Sequence, residues 1–355
     1  MKPTRRACLT RLLAAPALAP FIGWAGGAEQ PPFRFIGAAP VHTPALSYFY
    51  LSKPLRLRDA FGIATDFHTV AGSTLSTQLV ASGHGDLTTI SPLDLLIMKT
   101  RQPELPVRAV YKLDVINGNN IGVPADSPLK TIADLKGKAI GVQGPASVTV
   151  AHAKALLRAA GVNPAEVTLL PVGIGAPAVT ALRLQQVQAL CLQRSQFGAL
   201  ENLGLQFQYF WAPGSSSLMV TNESTLQDRR DELVRALRVV TASIIFSELN
   251  QEATVHYYWQ VAGKPAGDAD KALRDAMHVL RRNIELWKPI ADTRPWGAFE
   301  VADWTTVLDF LALDSSVDIK SADPAKLYTN DLVADVNAAD FSGVTKAAGE
   351  WKRPG

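Results

Sequence analysis

Short apolar strand candidates alternate with helix candidates twice over in the first two hundred residues, and this rhythm limits what the chain can fold into. Phe33 to Gly37 reads as a strand, ending in the loop Ala38-Ala39-Pro40-Val41-His42, and Leu46 to Leu51 has the length of a short helix closed before Pro54. Ile63 to Val70 mixes apolar and polar residues at period two, which predicts a second strand. Gly72-Ser73-Thr74 then opens a helix, with Ser73 or Thr74 as its N-cap. Asp86 to Ile90 is a third strand, and Ser91-Pro92 starts another helix with proline where a helix tolerates it best. The rhythm repeats through strands at 139–142, 167–172 and 187–192, with helices from Val150 to Ala160 and Ala176 to Leu184. Strands linked through helices predict parallel sheets, because a parallel neighbour needs a crossover that a helix supplies. Two such units in series predict two lobes. Tyr111 to Ala125, with Asn117-Gly118-Asn119-Asn120, reads as the linker or hinge between them. From Ser224 onward long helices take over, one carrying Leu233, Leu237, Val240 and Ile244, another Leu273, Met277, Leu280, Ile284 and Leu286.

Length and charge narrow the function. The chain has 355 residues, enough for two domains, and 35 Lys+Arg against 32 Asp+Glu give a net charge of +3. Lys2, Arg5, Arg6 and Arg11 fall in the first 28 residues, which hold no acid, so the remainder has 31 basic against 32 acidic residues. No nucleic-acid partner is expected from such a balance. Residues 1–28 have a basic start, an apolar stretch from Leu12 to about Trp24 and the small residues Ala25-Gly26-Gly27-Ala28, the layout of a secretory signal cleaved after Ala28. Thr4-Arg5-Arg6-Ala7-Cys8-Leu9 resembles a twin-arginine motif, with Cys8 where a large apolar residue is preferred, so Sec export stays open. Removal of that segment leaves Cys191 alone, which excludes an internal disulfide and predicts a small buried hydrophobe within Ala189-Leu190-Cys191-Leu192.

Several segments resemble one family, the periplasmic solute-binding proteins of ABC importers, in the group for nitrate, sulfonates, taurine and thiamine precursors. Ala81-Ser82-Gly83-His84-Gly85-Asp86-Leu87 with Ser91-Pro92 is similar to its A-S-G-x-x-D stretch, and Ser127 to Lys138 resembles its S-P-hydrophobic-K…D-L-K-G-K segment. Gly161 to Val167 and Tyr328-Thr329-Asn330 resemble two further elements, in family order. The family's A-L-x-x-G-x-V-D-A is replaced here by Ala181-Leu182-Arg183-Leu184-Gln185-Gln186-Val187-Gln188-Ala189, and Arg194-Ser195 stands where Glu-Pro is common. The resemblance implies an α/β, two-lobe periplasmic binding protein fold of type II. Each lobe is then a mostly parallel sheet flanked by helices, with a helical C-terminal extension. It divides the chain into lobe 1 at 33–116 and 216–355 and lobe 2 at 120–212, closing on a solute between them and docking at a permease.

Candidate ligand contacts follow from strand ends and helix starts. Ser73 and Thr74 either cap a helix or hold an anionic oxygen at its N-terminus. Gly144-Pro145-Ala146-Ser147 is the equivalent turn in the second lobe, where Gly144 permits close approach and Ser147 supplies a hydroxyl. Ser91 precedes another helix start. His42 lies in the loop that the resemblance places at the cleft, and Tyr48 is the aromatic nearest to it in sequence. Asn117 is either a hinge turn or a contact. Arg194 either binds a carboxylate or sulfonate through two hydrogen bonds or pairs with an acid such as Glu201.

Catalysis has little support. The chain lacks G-x-S-x-G, H-E-x-x-H, G-x-x-x-x-G-K-[ST] and C-x-x-C, and its six histidines form no i,i+4 ligand pair, so no metal and no cofactor are expected. The expectation is an exported monomer that captures a small organic solute, anionic or heteroaromatic, such as a sulfonate, carboxylate or pyrimidine. Its partners would be ABC permease subunits with their ATPase. The alternative is an enzyme on the same fold acting on a small pyrimidine or aromatic metabolite.

Overall fold

A computed structural model of the chain describes residues 31–39, 42–145, 147–312 and 326–354. The predicted export signal at 1–28 lies outside the described residues. Ten strands form two five-stranded sheets. The first contains β1 (Phe33–Gly37), β2 (Thr65–Thr69), β3 (Leu87–Ile90), β4 (Val107–Lys112) and β10 (Leu218–Asn222), in the order β2-β1-β3-β10-β4. The second contains β5 (Asn119–Pro124), β6 (Ala139–Val142), β7 (Thr168–Pro171), β8 (Ala189–Gln193) and β9 (Phe207–Trp211), in the order β7-β6-β8-β5-β9. Both sheets follow one plan. Three parallel strands are joined through helices, then one reversed strand, β10 or β5, pairs antiparallel with both its neighbours.

The parallel strands arise where the hydrophobic pattern predicts them. Phe33, Phe35 and Ile36 of β1 are all buried, as expected for a strand with helices on both faces. The helix Pro92–Arg101 begins with Ser91 as N-cap, its Oγ accepting from the Asp94 N–H at 3.0 Å, and ends with Lys99 and Arg101 in the last turn. The helix Ser73–Ala81 departs from its expected cap: Gly72 takes that position at φ 95° and no side chain caps it. Ser73 Oγ turns instead to Asp94 Oδ2 at 3.2 Å. Gln185, standing where the resembled pattern has glycine, adopts a left-handed φ of 56°, a strain of about 1 kcal/mol for a side chain. Gln188 replaces the aspartate of that pattern and ties the turn down, donating to Gln185 O at 2.8 Å and accepting from the Ala139 N–H at 3.0 Å.

The expected linker from Tyr111 to Ala125 is only half a linker. Residues 113–118 cross between the sheets, but Asn119 begins β5, which lies inside the second sheet. Asn119 and Asn120 are fully buried there. Their turn-like composition is overridden by pairing on both edges, and Gly122 lets the Phe197 ring approach to a point a Cβ would fill. The return crossing is residues 212–217, between β9 and β10.

The C-terminal helices pack mainly on the first sheet. The helix Arg230–Leu249 buries Leu233, Leu237, Val240 and Ile244 as its stripe predicts, within a core shared with Phe33, Phe35 and Trp287. In the helix Ala269–Ile284, Leu273 and Leu280 join that same core, while Leu286 lies past the helix end and is buried. Cys191 is free and fully buried, and burial pushes its thiol far up. No helix among the described residues is long and apolar enough to cross a membrane.

Candidate functional site

The carboxyl ends of the parallel strands of both sheets converge on a single cavity of about 960 Å³. Ala38 and His42 follow β1, Gly72 and Ser73 follow β2, and Ser91 follows β3. From the second sheet come Gln143 and Gly144 after β6, Gly173 after β7 and Ser195 after β8. Ligands gather at such strand ends because helix N-termini and short loops meet there. The far wall is helical. Tyr258 and Trp259 come from the helix Gln251–Ala262, and Lys271, Asp275, Val279 and Asn283 from the helix Ala269–Ile284.

Six of the nine residues singled out in the sequence line this cavity: His42, Tyr48, Ser73, Ser91, Gly144 and Ser147. Thr74, Asn117 and Arg194 lie outside the lining. Thr74 is exposed on its helix. Asn117 clamps the two crossings, donating to Pro213 O at 3.0 Å and accepting from the Asn119 N–H at 3.0 Å. Arg194, expected at a strand end, begins the helix Arg194–Glu201 and is 5% exposed. Its Nη1 donates to Glu201 Oε1 at 3.0 Å, and its guanidinium carbon lies 4.6 Å from the Tyr209 ring centroid. The carboxylate it binds is therefore the protein's own.

The wall from the second sheet is polar and uncharged. Gln196 Nε2 donates to Gln143 Oε1 at 3.2 Å, and Ser147 Oγ accepts from the Thr149 N–H at 3.3 Å. Near the first sheet, Tyr258 donates to His42 O at 3.2 Å, joining the loop after β1 to the helical wall. Tyr48 is buried against Phe49 and Trp287, and burial, followed by the Asp114 charge, raises its phenol far above the ordinary range.

Asp114 is the buried acid of the site. It follows β4, is 3% exposed and accepts from the Ser216 hydroxyl of the return crossing. Burial pushes its carboxyl up to about 7, while hydrogen bonds from Ser216 and Ser217 pull it down. The native state therefore holds a proton that the unfolded chain gives up near pH 4. Its stabilisation is complete below that pH and is lost as pH rises through about 7. Asp114→Asn removes this titration, so melting temperatures taken from pH 5 to pH 8 should drift in the variant's favour relative to the parent. A constant gap across that range would show Asp114 already ionised and compensated at pH 5.

Gln143, immediately after a strand that the sequence predicted, was within reach of the strand-end argument. Asp114 and Ser216 were not, because β4 and β10 left no rhythm to read, and Trp259 faces the site only through the packing of the C-terminal helices. Among the described residues no group of three His, Cys, Asp or Glu side chains is placed to hold a metal ion.

Comparison with known proteins is consistent with this geometry. A family model described as NMT1/THI5 like matches residues 59–253, more than half the chain. No curated protein sequence matches. Among solved structures, the alkanesulfonate-binding protein SsuA from Xanthomonas axonopodis pv. citri, bound to MOPS, superposes with a TM-score of 0.59 at 19% identity, over 87% of this chain and 98% of that one. The periplasmic nitrate-binding protein NrtA from Synechocystis PCC 6803 gives 0.59 at 14% identity, over 86% and 88%. The desulfurization enzyme DSZB gives 0.53 at 13% identity, over 85% and 98%. Identities this low carry the fold alone. The two mixed sheets around one cavity are thus the periplasmic binding protein fold, and the match over residues 59–253 places this chain in the NMT1/THI5-like family.

Proposed function

We propose that this protein is an extracytoplasmic solute-binding protein that captures a small organic molecule in the inter-sheet cavity and delivers it to an ABC permease with its ATPase. The observation that carries this reading is a large cavity walled by both sheets, which are joined through two crossings of six residues each, 113–118 and 212–217. Two bodies so connected, 33–116 with 216–355 and 120–212, are suited to hinge opening for entry and closure for delivery. The basic and apolar leading segment supports export. The solute-binding proteins for sulfonate and nitrate on this fold support the transport role.

The solute classes expected from the sequence do not fare equally. A sulfonate or carboxylate has helix-start donors to draw on but not Arg194, which pairs with Glu201, the second of the two roles the sequence left open for it, away from the cavity. A heteroaromatic solute relies on none of that, and Tyr48, Tyr258 and Trp259 offer it rings. The enzyme reading has its precedent in the desulfurization enzyme of the same fold. Thermal-shift screening of the purified protein against sulfonates, aromatic carboxylates, aminopyrimidines, nitrate and taurine separates the two, with mass spectrometry of the recovered compound. A ligand at 100 times its Kd adds about 2.7 kcal/mol, a readily measured shift. Recovery of the compound unchanged supports binding and delivery; its conversion would replace that reading with catalysis.

A further inference from the structure

The cavity has the wrong charge for an anion and the wrong size for a small one. Its volume of about 960 Å³ lies at the upper end of the roughly 300–1,000 Å³ typical for drug-sized ligands. Four residues with charged side chains line it: Asp114, Asp268, Asp275 and Lys271. The lysine is largely exposed and lies with its Nζ 2.5 Å from Asp275 Oδ2, which offsets its charge. No arginine lines the cavity.

Helix N-termini, the other source of anion-binding donors, are largely occupied by the chain itself. Four helix starts at the cavity spend N–H groups on the chain's own side chains. Ser91 Oγ takes the Asp94 N–H, Ser147 Oγ takes the Thr149 N–H, Asp268 Oδ1 takes the Lys271 N–H, and Gln193 and Gln196 form a reciprocal capping box. Such capping satisfies the donors that an incoming anion needs.

Asp114 is in the opposite situation. Its carboxylate receives only neutral hydroxyl donors, and no basic side chain among the described residues pairs with it. A carboxylate buried without a cation is unfavourable, and a counter-charge placed beside it removes most of the penalty. The first-sheet and helical side of the wall carries apolar and aromatic residues, Leu46, Tyr48, Val279, Leu286, Tyr258 and Trp259, facing the polar, uncharged wall of the second sheet. The indole N–H of Trp259, which is 8% exposed, also has no hydrogen-bond partner.

We infer that the solute is an organic cation, a protonated amine joined to a ring-bearing apolar body, with the ammonium set against Asp114 and the body lying along the aromatic wall. This inference rests on the binding role proposed above. An ammonium supplies both the missing charge and N–H donors for the carboxylate. Aromatic faces beside it add cation–π attraction.

Matched probes that differ only in the charged group test it. Isothermal titration of the purified protein would compare tryptamine with tryptophol and indole-3-propionate, and phenethylamine with phenylethanol and 3-phenylpropionate. At least one amine should bind tenfold or more tightly than its alcohol and its carboxylate. In Asp114→Asn that advantage should vanish, leaving the amine at the affinity of the alcohol. If this variant does not fold, the comparison on the unmodified protein carries the test by itself. An alcohol or carboxylate that binds as well as its amine overturns the inference. So does a broader screen in which sulfonates or carboxylates bind and no amine does; in both cases the binding role stands. Silence across every compound, or chemical conversion of a bound one, removes the binding role and the inference with it.

Discussion

Glu201→Ala should cost about 3 kcal/mol of stability, read as a lower urea midpoint at pH 7 with an unchanged slope. The Glu201 carboxylate accepts from the Tyr209 hydroxyl at 2.6 Å, His278 Nε2 at 2.7 Å, Arg282 Nε at 2.8 Å and Arg194 Nη1 at 3.0 Å. Burial pushes this carboxyl up, but hydrogen bonds from Tyr209, His278 and Arg282 and the charge of Arg194 outweigh it, holding the group at about 2. Without Glu201 the buried Arg194 guanidinium keeps Glu285, at 3.5 Å, as its remaining acidic partner. That remaining contact is why the expected cost sits at the lower end of the roughly 3–5 kcal/mol for breaking a buried pair. A carboxyl held below its ordinary value contributes stability above that value, lost as pH falls through the native one. The difference between parent and variant should therefore be full at pH 5–7 and shrink as pH falls from the ordinary glutamate value toward 2. A loss under about 1 kcal/mol at pH 7 would mean that water replaces the carboxylate and that the cluster is a surface pair in all but geometry.

The cluster also ties together the helices of the two halves. Glu201 ends the helix that follows β8 of the second sheet, whereas His278 and Arg282 belong to the helix Ala269–Ile284, whose apolar face packs with the first sheet's core. The same substitution that destabilises the protein thus loosens the joint between the two halves.

Gly297→Ala is the second large effect, about 2–5 kcal/mol by thermal or urea unfolding. Gly297 has φ 79°, and its carbonyl accepts the Lys112 N–H at 2.9 Å beside β4. A Cβ there would lie 2.4 Å from Tyr111 Cδ2. Tyr111 cannot move aside easily, being buried and bonded through its hydroxyl to Thr241 at 3.0 Å. Backbone strain and overpacking add, and the ring must shift or the β4 bridge must break. Unfolding within about 0.5 kcal/mol of the parent would show that Tyr111 has room to repack.

Much of this architecture is legible from local pattern. The parallel strands β1, β3 and β6 and the helices after them announce themselves because each strand is a short run anchored by buried apolar residues, Phe33 and Phe35, Leu87 and Ile90, Ile140 and Val142, and helix starts carry their own punctuation, as at Ser91-Pro92. The reversed strands do not. Asn119-Asn120 looks like a turn in sequence, and only its position between β8 and β9 makes it a strand. Leu218 to Asn222 belongs to the first sheet although the chain reaches it from the second. Site residues divide in the same way. His42, Ser73, Ser91, Gly144 and Ser147 were foreseeable, since a strand end or helix start marks each one.

What the sequence determined by itself is therefore the two α/β units, their order and the strand ends at which the cavity forms, because periodicity and capping are local properties of the chain. Tertiary structure alone decided where the charges go. Arg194 and Glu201 were both visible as possible partners, yet only the packing of the C-terminal helix brought His278 and Arg282 to the same carboxylate and closed it to a solute. Asp114 gained its character from burial between two crossings a hundred residues apart, and burial is a property of the assembled fold.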